Sequence, residues 1–348
     1  SIGDFAFNNC GNVETIKLPD TLQNLGKSVE IERPTDGTMD GNETDLGTAD
    51  PGDESNVKAD GPEAAPTKGT ENVFRGCQKL KEFVVSDTNP YFSVKDGVLF
   101  NKNGTKLIRY PVGKSDASYA IPEGTQIIAE AAFMQIAGNQ ANGALKSVTF
   151  PSSLKKIEDG AFRQSSLTSV ELPAGVEFGS YIFDCSKNLQ TVTTADGVTG
   201  IPAKAFWGCE ALTNVTLAAS VKSIGESAFE RAGFKSIDLT NVTKIGKYAF
   251  YFSKLETVTV PAAAQCDTGA FMNCPELKTA TLEGTTIYPY MFWYCTALET
   301  LNASNVTTIE DCALGYCVKL TSLPLDHVTT IGNGAFRLLL VTGNQGQL

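Results

Sequence analysis

The chain has 348 residues, 42% of them hydrophobic, and a formal net charge of -11. One compact core rarely grows to that length, whereas stacked repeats do, because each packs only on its neighbours. The acidic balance argues against nucleic acid, which rewards a basic surface, and no run of eighteen apolar residues predicts a membrane span.

The chain opens on SIGDFAFNNC, which aligns with SIGESAFERA further along. It is therefore expected to start partway through a repeat, as an excised piece would. No signal peptide opens it, and in such a piece that says nothing about localisation. Residues 1–26 form the opening repeat. Residues 27–70 break the pattern. They carry eleven acids against four bases, a net charge of -7 that leaves only -4 for the rest of the chain. Rich in Gly, Pro, Asp and Thr and poor in aromatics, this segment reads as an acidic loop insertion.

The repeat resumes at residues 71–85. A second interruption, residues 86–120, holds two alternating apolar runs around Asn101-Lys102-Asn103-Gly104. The Asn-Gly turn between V-L-F and L-I-R-Y predicts a β-hairpin insertion. Ile121 rejoins the array, and a small third insertion falls near residues 137–143.

From Leu145 the array is regular. An L-x-x-V-x-L strand, a short turn and an I-x-x-x-A-F segment recur. The closing aromatic falls at Phe162, Phe183, Phe206, Phe229, Phe250, Phe271 and Phe292, is replaced by Leu314, and returns at Phe336. The steps are 21 to 23 residues, a period that means a solenoid. Sorting each strand by period two gives inward columns running from Val148 to Leu323 and from Phe150 to Leu325. A second inward stripe runs from Ile157 to Ile331. The outward column, Ser147, Ser169, Thr191, Asn214, Ser236, Thr257, Thr279, Thr300 and Ser322, holds only small hydrogen-bonding residues and predicts a polar ladder. With no ten-residue helical pattern per repeat, the solenoid is expected to be β-rich.

Seven of the nine cysteines sit near one place in the repeat, at Cys10, Cys77, Cys185, Cys209, Cys274, Cys295 and Cys317. Buried thiol packing explains this best, since Cys is among the most buried residue types. No C-x-x-C pair supports zinc, and no disulfide is expected among the seven.

The pattern L-x-x-V-x-L-P-x-x-L-x-x-I-x-x-x-A-F-x-x-C resembles the BspA-type, or Treponema pallidum-type, leucine-rich repeat. LKSVTFPSSLKKIEDGAF and LTNVTLAASVKSIGESAF carry the likeness, and NPYFSVKDGVLFNKNGTKLIRYP resembles a hairpin common in bacterial members. The resemblance implies a right-handed superhelix of parallel strands. It also implies a secreted or bacterial cell-surface protein that binds a protein or glycan ligand on a host or neighbouring cell, with adhesion as one role. It brings no catalytic residues.

The residues themselves offer no chemistry. The single histidine, His327, aligns with Asn241 at a turn, so a Ser-His-Asp or Cys-His site has no good candidate. No phosphate loop or H-E-x-x-H motif appears. Asp36, Asp40, Asn42 and Asp45 lie in the acidic insertion at spacings that do not fit a calcium loop. No catalytic residue, metal or cofactor is expected, and the chain is expected to be a monomer.

One feature rises above the repeat. Aromatic residues gather beside the repeat Phe in the middle of the array: Trp207, Tyr248, Tyr251, Phe252, Tyr290, Trp293, Tyr294 and Tyr316. Stacked repeats place them on one side, away from the Ser/Thr ladder. As an exposed patch they mark a contact site, with Trp293 and Tyr251 exposed and near each other; as buried rings they widen the core. The favoured reading is a non-enzymatic binding protein using the faces of the solenoid. The alternatives are a structural spacer or scaffold region of a larger surface protein, and a glycan-binding module.

Overall fold

A computed structural model describes residues 2–3, 6–23, 25–27, 73–135, 143–323 and 325–339. The described chain is a parallel-stranded β-solenoid of the leucine-rich-repeat type, and no helix occurs among the described residues. Most of residues 27–70 and of 137–143 lie outside them. Lys27 itself closes a short strand, Leu25–Lys27, that pairs with Ile2–Gly3.

Each turn of the solenoid has three sides. The first is the longer strand, as in Thr257–Val260, Thr279–Leu282 and Thr300–Asn302, which pair in parallel with Thr257, Thr279 and Thr300 in one row. Alternation along Thr257–Val260 buries Val258 and Val260 and exposes Thr257 and Thr259, the pattern expected of a sheet with one wet face. The second side is a two-residue strand, as in Ser223–Ile224, Lys244–Ile245 and Gln265–Cys266.

The third side is the turn that carries the repeat Phe. Phe133, Phe162, Phe183, Phe206, Phe229, Phe250, Phe271 and Phe292 stack face to face with centroids 4.6 to 5.8 Å apart. Burying one such ring contributes about 1.5–3 kcal/mol, and its stacking about 0.5–1.5 kcal/mol more. From Phe162 to Phe292, three backbone bonds link each of these turns to the next, and one, from the Phe133 N–H to the Ala161 carbonyl, links the Phe133 turn to the Phe162 turn. From the Phe250 turn, Tyr248, Phe250 and Phe252 donate N–H groups to the carbonyls of Thr268, Ala270 and Met272.

This geometry needs a left-handed residue two before and two after the Phe. Tyr248 and Phe252 have φ 55° and 55°, Tyr290 and Tyr294 have 53° and 61°, and Cys312 and Tyr316 have 55° and 61°. A left-handed L-residue costs roughly 1–2 kcal/mol because Cβ crowds the following carbonyl. The described positions of this kind hold Gly, Asn, Ala, Gln, Ser, Lys, Arg, Leu, Cys, Tyr or Phe, and none is β-branched.

The cysteines fall into place on the same side. The thiols of Cys274, Cys295 and Cys317 donate to the carbonyls of Phe250, Phe271 and Phe292, each one turn back, at 3.1 to 3.2 Å. Cys209 and Cys77 do the same to Phe183 and Phe7. In the Phe183 turn, Ser186 makes the equivalent bond to the Phe162 carbonyl at 3.0 Å. Cys185 stands one residue earlier, at a left-handed position. All nine cysteines are free, and seven are buried. The residue is thus a small buried donor, which is why Ser replaces it.

The strand ladders are interrupted, and the interruptions alternate. The first-side ladder breaks between Ser147–Thr149 and Ser169–Leu172, and again between Asn214–Thr216 and Thr257–Val260. The second-side ladder breaks between Glu177–Phe178 and Gly200–Ile201, and between Gln265–Cys266 and Thr286–Ile287. Where one is broken the other is paired, and the Phe turns are bonded throughout. The predicted polar ladder is therefore not continuous: Ser236 stands in a segment without strand pairing. Phe234 precedes it where other repeats have Leu, with its ring edge-on to Phe229 and Phe250. Near the breaks the inward columns are only half-buried, at Val148, Phe150, Val215, Leu217 and Ile237. Ile331, expected inside, is 52% exposed, on a strand whose only partner among the described residues is Thr308–Ile309.

The region around residues 92–109 holds three strands. Phe92–Lys95 and Val98–Asn101 are joined by a tight turn at Asp96 and Gly97, with φ 51° and 76°. Positive φ at both central residues is what a two-residue hairpin requires. Val98–Asn101 then pairs antiparallel with Lys106–Arg109, which joins the second-side ladder through Ile127–Ile128. Both faces are covered: Val98, Phe100 and Leu107 join the main core, and Phe92, Leu99 and Ile108 join the N-terminal one. The strand Ser118–Ala120 is already a member of the first side, paired with Ser147–Thr149.

Candidate interaction face

The aromatic residues lie on the Phe-turn side, and their place follows from the turn. Residues two before and two after the Phe are left-handed, and Tyr248, Phe252, Tyr290, Tyr294 and Tyr316 hold these positions. The residue directly after the Phe packs against the same edge. In chain order this column is Arg163, Asp184, Trp207, Glu230, Tyr251, Met272, Trp293, Gly315 and Arg337.

Two centres result. In the first, the Arg231 guanidinium lies between rings, 6.0 Å from Trp207 and 5.4 Å from Phe252. Tyr251 touches Phe252 and Tyr248, with centroids 6.2 and 5.7 Å apart. The Lys247 ammonium stands 4.9 Å over Tyr248, and Lys204 stands 5.1 Å over Tyr181. Phe252 is 43% exposed, while Trp207, Tyr248 and Tyr251 are half-buried. The Tyr248 ring leans over the backbone of Gly269 in the next turn.

In the second centre, Trp293 is surrounded. Tyr290 lies 5.4 Å away, Tyr294 6.4 Å, and Tyr316 meets it edge-on at 4.8 Å. Tyr294 and Tyr316 stack on each other at 4.4 Å, and Arg337 stands 6.0 Å over Tyr316. Trp293 is 1% exposed. The expectation that it is an exposed ring is corrected: it is the floor on which three half-buried tyrosines rest. Nor is it beside Tyr251, because the Phe271 turn, with Met272 and Asn273, lies between them.

Further back, the same column is sealed. Arg163 and Asp184 form a buried ion pair at 2.7 Å, and burial still holds the Asp184 carboxyl above its ordinary range despite Arg163. Burial also pushes the Glu230 carboxyl up, against the pull of Ser227, Trp207, Arg231 and Lys204. Burial pulls the Lys204 ammonium down, but the Tyr181 hydroxyl and the carboxylates of Glu226 and Glu230 outweigh it and hold the group charged. The Tyr290 phenol is raised by its bond with Cys312 and by burial. Arg231, Lys204 and Lys247 were missed in the sequence. Arg231 shares its repeat position with Phe252, and reading columns for charge as well as for rings would have found it.

His327 is an exposed turn residue. Among the described residues no group of three His, Cys, Asp or Glu side chains is placed to hold a metal ion, and no helix is long and apolar enough to cross a membrane. Asp36, Asp40, Asn42 and Asp45 lie outside the described residues. On the strand side, the break at Ser236–Thr240 leaves a groove of about 390 Å³, lined also by Thr257, Thr259 and Glu283.

No curated protein sequence matches the chain. Among solved structures it is similar to a leucine-rich repeat protein from Bacteroides ovatus, with 19% identity, a TM-score of 0.50, and coverage of 73% of this chain and 84% of that one. It is also similar to a leucine rich cell surface protein from Faecalibacterium prausnitzii, with 21% identity, a TM-score of 0.42, and coverage of 87% and 82%. A third is the leucine-rich repeat protein of T. pallidum, with 19% identity, a TM-score of 0.36, and coverage of 66% and 88%. The first of these supports the solenoid fold. The model of the BspA type leucine rich repeat region matches in six copies, over residues 1–29, 114–235 and 231–339. With its repeat, its stacked Phe turns and that match across most of its length, the chain belongs to the BspA-type leucine-rich-repeat family.

Proposed function

We propose that this chain is a non-enzymatic binding module of a secreted or cell-surface protein, and that it grips a protein ligand through the Phe-turn side between Trp207 and Tyr316. One observation carries this. The described turns share a backbone, yet their outer side chains form two ring centres only from the Phe206 turn onward. Rings needed merely to widen the core would recur in every turn. Tyrosines held against a rigid floor offer large contact area at small entropic cost, and Trp293 supplies that floor.

A glycan ligand is favoured less. Pyranose rings stack on free aromatic faces, and here Tyr294 and Tyr316 cover each other while Trp207 and Phe252 face Arg231. A spacer role is the reading left if the side is inert.

The test is a binding screen of the full chain against immobilised extracellular-matrix proteins and a glycan array. The comparison is a variant carrying Phe252→Ser and Tyr294→Ser. Capture of a protein ligand by the parent and its loss in the variant, at an unchanged melting temperature, is the expected result. Retention by the variant overturns the proposal, and a glycan as sole ligand replaces it with the lectin reading.

A further inference from the structure

We infer that the Trp207–Phe252 end of this face receives an acidic segment of a partner protein, with Lys204, Arg231 and Lys247 as its anchors. The inference rests on the binding face proposed above and names the chemistry of its occupant.

The three cations stand on successive turns: Arg231 and Lys247 sit against aromatic rings, and Lys204 donates to the Tyr181 hydroxyl at 2.9 Å. Several lysines elsewhere are matched with carboxylates, Lys81 with Glu14, Lys106 with Glu158, Lys156 with Glu177, Lys187 with Glu210 and Lys278 with Glu256. A ring or a neutral phenol hydroxyl orients a cation without neutralising it, so the charge remains for a ligand. Arg231 is the strongest of the three. Its guanidinium is held between two rings, is weakly hydrated and presents a planar fork suited to a carboxylate.

The carboxylates nearby are Glu226, Glu230 and Asp184, the last already paired with Arg163. Glu230 faces inward to Ser227 and Trp207. Glu226 is exposed and acts on Lys204 from a distance. With Asp184 offset by Arg163, three cations against Glu226 and Glu230 give a locally basic surface on a chain of net charge -11. Such a reversal of sign selects an anion and repels a basic ligand.

An acidic peptide fits better than a sulfated sugar. Phe252 adds an exposed apolar edge beside Arg231, which suits a segment carrying an apolar side chain among its acids. Arg231 lies against Trp207 and Phe252, which reduces the ring face left for a sugar.

The experiment measures fluorescence anisotropy of the full chain with three probes at low and high salt. The probes are a Glu/Asp-rich peptide bearing one Leu, a Lys-rich peptide of equal length, and a heparin-derived oligosaccharide. Binding of the acidic peptide, weakened by salt, is expected. Lys204→Gln with Lys247→Gln should weaken it at least about tenfold, or about 1.4 kcal/mol, and Lys319→Gln should leave it unchanged. Because Arg231 is packed, Arg231→Gln is scored only beside its melting curve; the two lysine changes keep the test decisive. Equal binding of acidic and basic peptides, or no effect of the lysine changes, overturns the inference, as does binding of the oligosaccharide alone. A protein captured in the screen above, lost on Phe252→Ser and Tyr294→Ser but indifferent to the lysine changes and to salt, leaves the binding face standing and removes this inference.

Discussion

The ring of Trp293 lies over the backbone of Gly315, where the next residue of the same column would place its side chain. The two positions are equivalent in adjacent turns, so the indole covers its neighbour's site. A Cβ at residue 315 would fall inside the ring's contact distance. Gly315→Ala should therefore destabilise by about 1–3 kcal/mol, as overpacking does. Gly284→Ala, whose added Cβ would meet only ordinary contacts from 3.5 Å outward, should stay within about 0.5 kcal/mol. Urea titration of both variants separates the two outcomes.

The left-handed turns make a second prediction. Tyr316 has φ 61°. Removing its ring by Tyr316→Gly relieves the backbone, whereas Tyr316→Val removes the ring and adds a branched Cβ to a left-handed residue. The valine variant should be the less stable by about 1–2 kcal/mol. Equal stability of the two would mean that the φ there is not left-handed.

The cysteine column predicts a ranking. Cys295 is buried and donates to the Phe271 carbonyl at 3.2 Å. Burial holds its thiol well above the ordinary range, so it is protonated and able to donate at neutral pH. Cys295→Ser keeps a donor, as Ser186 does naturally, while Cys295→Val removes it. The serine variant should be the more stable, by about 1 kcal/mol. Thiol titration of the denatured, unreduced protein should find nearly all nine cysteines free.

These turns mark where the sequence was readable. The Phe spacing revealed the solenoid, because a ring that must stack on its equivalents has to recur with the turn. The Asn101–Gly104 turn was visible, but the Asp96-Gly97 turn was overlooked, although it carries the stronger hairpin signal. The rings of Trp207 to Tyr316 were found as a column. Their burial was not, since exposure depends on what the neighbouring turn places alongside: Gly315 lets Trp293 lie flat, and Tyr290, Tyr294 and Tyr316 then close over it. The breaks in the strand ladders were hidden for the same reason. Ser236 fits its column by type, and only three-dimensional packing near Phe234 coincides with the loss of pairing.

The acid-base behaviour of the first centre is testable. Burial raises the folded-state pKa of Glu230 above its unfolded value. A carboxyl so raised opposes folding when ionised, so stability should rise as pH falls from neutral through the folded-state pKa. Glu230→Gln removes this dependence. The parent should gain more melting temperature than the variant on mild acidification; identical pH profiles would show that Glu230 ionises as freely in the fold as in the unfolded chain.

Phe250 offers the broadest test of the architecture. Its ring is fully buried and stacks on Phe229 and Phe271 at 5.7 and 5.0 Å, nearly parallel to both. Its N–H donates to the Ala270 carbonyl, and its own carbonyl accepts the Cys274 thiol. Beside it the first-side ladder is broken, between Asn214–Thr216 and Thr257–Val260, so the Phe turns and the two-residue strands hold the neighbouring turns together. Phe250→Ala should cost about 3–5 kcal/mol, the range of large-to-small core changes. Phe250→Leu should cost less, since Leu314 fills the same position and is fully buried. Because adjacent turns share one core, the loss should not stay local. Amide exchange should quicken at Phe229 and Phe271 as well as at residue 250, and remain unchanged at Phe133. A melting curve unaltered by Phe250→Ala would place this ring outside the core and overturn the stacked-turn description of the array.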